Sequence, residues 1–148
     1  MNAMTHEDAG HYAAKHPADT ELNPSIAALI ESKAKKGKLS CAAAFSIVTE
    51  LKVLPRNVGI AIDLMEIRIS RCQLGLFGYE DKKPAFAPAE TIDDGLKDAI
   101  ENGLVDGRLP CKTSWEIADS FGIPKMHVSA ACELLKVKIS SCQLGSFK

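Results

Sequence analysis

The chain has no apolar run near the roughly 18 residues that a membrane-spanning helix requires, so an integral membrane protein is not expected. Its first residues, Met1-Asn2-Ala3-Met4-Thr5-His6-Glu7-Asp8, are polar and acidic, with no apolar stretch to serve as a signal peptide. It also has little excess of either charge, with a formal net charge of −1. A nucleic-acid ligand would therefore have to be met by local charge and not by the field of the whole molecule. There is no glycine-rich phosphate loop, no nucleophile spaced with a base, and no pair of acids in a pocket-like context. An enzyme is not expected and no cofactor is implied. The five cysteines are odd in number and include no Cys-x-x-Cys, which suits reduced, buried thiols in a cytoplasmic protein better than a disulfide framework. Apolar residues make up 46% and charged residues 25%, the balance of a chain able to bury a core.

What the sequence does contain is an internal repeat. Offset by 70 residues, positions 24–77 align with 94–147 without a gap, and 16 of the 54 pairs are identical. The densest match is Ile69-Ser70-Arg71-Cys72-Gln73-Leu74-Gly75-Leu76-Phe77 against Ile139-Ser140-Ser141-Cys142-Gln143-Leu144-Gly145-Ser146-Phe147. Most other matched pairs are apolar or glycine, such as Ile30/Ile100, Gly37/Gly107, Leu39/Leu109, Ile47/Ile117 and Val58/Val128. Those are the positions that a common core holds fixed.

Each copy reads as three helices and a strand. The first helix opens at Asn23-Pro24, a cap followed by a residue favoured at the first helical position. In the second copy Thr91 and Asp94 form a capping pair. Gly37 and Gly107 are placed to end these helices. A short extended link, Lys38-Leu39 or Arg108-Leu109, leads to a second helix, which Thr113 and Glu116 would cap in the second copy. Gly122 breaks it, and a third helix spans Lys125 to about Lys136. In the first copy Leu51-Lys52-Val53-Leu54-Pro55 makes the same turn without a glycine. Val137-Lys138-Ile139-Ser140 and Ile67-Arg68-Ile69-Ser70 alternate as half-buried strands. The expected domains are a disordered tail over 1–22, repeat one over 23–77, a proline-containing linker over 78–90 and repeat two over 91–148.

Ala118, Gly122, Ile123, Val128, Ala131 and Leu134 or Leu135 carry a resemblance to the helix-turn-helix superfamily of bacterial DNA-binding domains. A small residue lets the helices approach, a glycine allows the turn, and later apolar residues lock the third helix. The order helix, link, two helices, strand resembles the winged-helix variety. The first copy departs at two positions, Val48 for Ala118 and Lys52 for Gly122. The fold expected is mainly α with short β strands, as two tandem winged-helix-like domains. The resemblance implies duplex DNA as partner, with the third helix in the major groove. The implied base readers are Arg56, Asn57, Lys125, His127 and Ser129, beside Met126, Ala130, Gly59 and Ile60, while Lys35, Lys36, Lys38 and Lys112 would meet phosphates.

Charge divides the copies. Residues 24–77 hold eight Lys or Arg against four acids, a net of +4, whereas 94–147 hold six against seven, a net of −1. The copy with the better motif is thus the less basic, and Asp63, Glu66 and Glu133 lie late in the third-helix segments. A protein-interaction or scaffold module of the same fold is the alternative. A thiol- or metal-dependent sensor is a third, because a paired link and strand would bring Cys41 near Cys72 and Cys111 near Cys142. Cys132 matches Ile62 and Trp115 matches Phe45, both read as core. His6, His11 and His16 share no helical face and read as a solvated tail.

Overall fold

The computed structural model describes residues 11–81 and 83–148; His6 and the rest of the first ten residues lie outside them. The described residues are mainly helical, with four short strands. One element order occurs twice: α1 (Pro24–Lys33), β1 (Lys38–Ser40), α2 (Cys41–Leu51), α3 (Pro55–Leu64) and β2 (Arg68–Ser70), then α4 (Asp94–Asn102), β3 (Leu109–Pro110), α5 (Cys111–Phe121), α6 (Lys125–Leu135) and β4 (Ile139–Ser140). The backbone matches at the same offset. Left-handed φ angles at Lys36, Gly37, Lys52, Glu66, Arg71 and Gly75 recur at Asp106, Gly107, Gly122, Lys136, Ser141 and Gly145.

Local chemistry sets the boundaries, and in three places it differs from the expectation. Asn23 caps α1, its Oδ1 accepting from the Ser25 and Ile26 N–H groups at 2.9 and 3.1 Å. Its counterpart on α4 is Asp93, not Thr91, with Oδ2 accepting from Gly95 and Leu96. A carboxylate two residues further on meets the free N–H groups directly and suits the helix dipole. Gly37 does not end α1, which stops at Lys33. Lys36 and Gly37, at φ 53 and 75, form the corners of a tight turn closed by Lys35 and Lys38. Asp106-Gly107 does the same between Val105 and Arg108. Two successive positive φ angles define the type I′ turn, for which Asp-Gly is a favoured pair. Finally, α5 starts at Cys111 on extended Pro110, so Thr113 lies inside its first turn and caps nothing.

Each link strand pairs in parallel with the strand after the third helix, Leu39 opposite Ile69 and Leu109 opposite Ile139. Parallel pairing requires a crossover, and the second and third helices supply it. The ribbon of each copy ends at Ser70 or Ser140, with no β-hairpin after the third helix among the described residues.

The described chain divides into two compact units, and the division does not follow the linker. Unit 1 gathers the residues up to Cys72 together with Gln143–Phe147; unit 2 gathers Gln73–Cys142 with Lys148. Unit 1 is built on Ile26, Ile30, Leu39, Ile47, Val58 and Ile62, all at 1% exposure or less. Unit 2 is built on the matching Leu96, Ile100, Leu109, Ile117, Val128 and Cys132. The stretch expected to be a disordered tail contributes a 3-10 turn, Tyr12–Lys15, with Tyr12 buried.

Candidate functional site on the third helices

The third helix of each unit carries the residues to which the helix-turn-helix resemblance assigns recognition. On α3, Arg56 and Asn57 are exposed in the first turn, Ile60 is half-buried and Gly59 is buried. On α6, His127 is exposed, while Lys125, Met126 and Ala130 are half-buried. Lys125 holds its ammonium 4.7 Å from the centre of the Trp115 ring, so part of its charge is directed at an aromatic face. Trp115 is accordingly half-buried and not a core residue. His127 borders a shallow groove with Thr91, Pro124 and Met126, and Glu90 stands in the same lining. Lys35, Lys36, Lys38 and Lys112 are exposed. Arg68 sits opposite Lys38 across the ribbon, which adds a cation to the β1 edge that spacing alone did not single out.

Ser129 is the clear exception. It is 1% exposed, and its hydroxyl donates to the Leu74 carbonyl at 2.7 Å. It is therefore withdrawn from any groove-reading set. Its counterpart Gly59 makes the same contact by a different means. A Cβ built on Gly59 would stand 2.0 Å from the Leu144 oxygen and 2.7 Å from its carbonyl carbon. No side chain fits there, and the absence of one lets the Leu144 backbone lie against α3.

These contacts account for the shared Cys-Gln-Leu-Gly ending. The segment that follows one copy belongs to the unit built from the other: Leu144 is 3% exposed in unit 1, and Leu74 is 1% exposed in unit 2. The leucine is the buried anchor, and its carbonyl faces position 59 or 129. The glycine that follows, at φ 77 in Gly75 and 83 in Gly145, turns the chain where a β-carbon is disfavoured. Its carbonyl is held in both units by the residue at one repeat position. Lys15 Nζ donates to Gly145 O at 3.1 Å, and the Ala85 N–H donates to Gly75 O at 2.7 Å. Ala85 lies 70 residues beyond Lys15, one donating through its backbone and the other through its side chain. In unit 2 the Ala89 N–H also donates to Ala130 O, which fastens part of the expected linker along α6.

In unit 1 the seat is closed by a strap, Tyr12–His16. Asp63 is buried, and its Oδ2 lies 2.8 Å from His16 Nε2 and 3.1 Å from Lys15 Nζ. Lys15 thus bridges α3 and the docked segment. Glu66 accepts from the Ala13 and Tyr12 N–H groups at 2.7 and 2.9 Å. The Ala13 hydrogen bond leads the causes that hold the Glu66 carboxyl below its ordinary value, against a smaller desolvation effect in the other direction. Both acids, legible only as charges on the third-helix segment, are fasteners of the strap.

No disulfide joins the cysteines among the described residues. No group of three or more His, Cys, Asp or Glu among those residues is placed to hold a metal ion. Burial pushes the Cys132 thiol up to about 12, which leaves it protonated and unreactive as a core residue. No helix among them is long and apolar enough to cross a membrane. Comparison with protein-family models, curated proteins and solved structures finds no match.

Proposed function

We propose that this chain is a protein-interaction module of tandem helix-turn-helix, winged-helix-like type, whose third helices receive a turn-forming Gln-Leu-Gly segment. The observation that supports it most is the seat built twice at positions 59 and 129. One is a glycine that admits a peptide backbone and the other a hydroxyl that bonds it. In a helix-turn-helix that reads DNA, the outer face of the third helix must be free to enter the major groove. Here Met126, Ser129 and Ala130 of α6 meet the Gly75, Leu74 and Ala89 backbones. Hydrogen bonds to a peptide backbone beside one apolar anchor are a recurrent way of holding a peptide partner.

The test is a fluorescein-labelled peptide of residues 140–148 titrated into the Leu144→Asp chain, whose own segment docks poorly. Anisotropy should rise with this peptide and not with one in which the leucine is replaced by serine. Equal signals from the two peptides would remove the reading.

Duplex DNA is the second reading, favoured by the exposure of Arg56 and Asn57 at the start of α3 and of Lys35, Lys36 and Lys38 in the same unit. It requires a salt-dependent mobility shift on pooled genomic DNA that is weakened by Arg56→Ala with Asn57→Ala. No shift at low ionic strength would dispose of it.

A further inference from the structure

We infer that the partner for the α3 seat is a second copy of this chain, which binds by exchange of the 143–147 segment between molecules. The inference rests on the interaction reading above and names the occupant. Three observations carry it.

First, the seat already takes a segment from outside its own repeat. Gln143–Phe147 belongs to unit 1 although it follows the second copy, and unit 2 takes residues 73–77 in the same manner. What each seat holds is the Leu-Gly of that ending, not a neighbour along its own repeat. A second molecule presents the same residues, so every contact made within one chain is available between two. Second, the anchorage includes the buried Leu144 side chain, the close approach at Gly59 and the Lys15 bond to Gly145 O. None of these three is a hydrogen bond within a helix, so the segment can exchange while the helices beneath it keep theirs. Third, the Lys15–Asp63 and His16–Asp63 contacts tie the strap to α3. Lys15 meets the segment at the Gly145 backbone carbonyl, so it slows escape without reading a side chain.

Because the contacts are the same within and between chains, the balance is set by concentration. A segment held in the same chain competes at an effective concentration on the order of millimolar. Exchange is therefore expected when the chain is unfolded and refolded near that concentration, and not in dilute solution.

The experiment refolds an equimolar mixture of two full-length chains, distinguishable by mass, over a range of concentrations and reads dimers by native mass spectrometry. A dimer containing one chain of each mass should appear as concentration approaches millimolar and persist for a time after dilution. Lys15→Ala should speed its return to monomer several-fold while leaving the dimer formed at equilibrium. Leu144→Asp, which acts on the segment, and Gly59→Ala, which acts on the seat, should each abolish it. Alanine favours helix over glycine, so α3 is expected to form in the Gly59 variant, and far-UV circular dichroism checks this. A chain that stays monomeric throughout overturns the inference, as does a dimer of unchanged abundance in a folded Gly59→Ala chain. If the labelled peptide binds Leu144→Asp and no dimer forms, exchange fails and the interaction reading stands. If neither occurs, both fail.

Discussion

Gly59→Ala has an expected sign that depends on whether the 143–147 segment is seated. In an unencumbered helix, replacing an interior glycine by alanine stabilises by about 0.5–1 kcal/mol, because glycine loses more backbone freedom on folding. Here the new Cβ would stand 2.0 Å from Leu144 O, against 3.4 Å or more for ordinary contact, so the carbonyl must retreat by about 1.4 Å. The obstructing atoms are backbone, not the end of a flexible side chain, and a retreat of that size lifts Leu144 from its seat. Losing the burial of one leucine costs about 1.5–3 kcal/mol. The helix gain offsets part of this, and the net is a loss of about 1–2 kcal/mol in unit 1. Urea titration followed by circular dichroism reads the stability, and amide exchange of Leu144 and Gly145 reads the seat. Gly59→Ala should lower the midpoint and expose those amides together. A midpoint raised by the helix gain, with the amides of the segment unchanged, would refute the reasoning.

Three further outcomes are expected. Lys52 holds the left-handed position that Gly122 holds in the other copy, at φ 54 and 65, so Lys52→Gly should stabilise by about 1 kcal/mol and Gly122→Lys destabilise by a similar amount in urea titration. Ser129→Ala deprives the Leu74 carbonyl of its hydroxyl donor and should cost about 1 kcal/mol, with faster exchange of amides near Gly75. The Glu66 carboxyl is held below its ordinary value of 4.5, chiefly by the Ala13 N–H. The strap therefore gains stability above that value and loses it as pH falls through the lower folded value. Tyr12 and Ala13 amides, followed by NMR, should lose protection in acid, and Glu66→Gln should lower that protection at neutral pH and reduce its pH dependence.

The elements were legible where one periodicity or one cap decided them. The three helices of each copy and the strand after them could be placed because apolar residues recur at helical spacing and Asn23-Pro24 opens a helix directly. The turns were harder. Gly37 and Gly107 read from the sequence as helix ends, whereas with Lys36 and Asp106 before them they form the two corners of type I′ turns. A glycine shows only that φ is free to be positive, and its neighbour decides which structure uses that freedom. Lys52 gives no glycine signal, yet it adopts the same conformation as Gly122 because the helices packed on either side hold it there. The exposed cations Arg56, Lys35, Lys36, Lys38 and Lys112 were readable from pattern, since long charged side chains rarely bury. Ser129 and Gly59 read as surface from the sequence because they lie on the outer face of an isolated helix. The segment that covers that face arrives from the other copy, and nothing local in the sequence announces it.

That origin also bears on why the ending is the best-matched part of the repeat. A core residue such as Ile62 can become Cys132 if its own copy repacks around it. Leu74 and Leu144 have no such latitude, because each must fit a seat made by the other copy. Divergence in one seat must be matched by a segment that is distant in sequence, 55 residues from Ser129 in the case of Leu74. The pair at 59 and 129 marks where the seats have nonetheless drifted, one keeping space and the other gaining a hydroxyl, with the carbonyl they contact unchanged. If each segment fits either seat, exchanging Gln73–Phe77 with Gln143–Phe147 should leave stability nearly unchanged. The swap alters only Leu76 and Ser146, since the other four residues are identical. Moving Gly59 to serine together with Ser129 to glycine is the harsher trial. A Cβ at position 59 would meet the Leu144 carbonyl as in Gly59→Ala, and Ser129→Gly would leave the Leu74 carbonyl without its donor. The double exchange should therefore cost more in urea titration than either substitution alone, and a stability within a few tenths of a kcal/mol of the parent would refute the geometry of the seats.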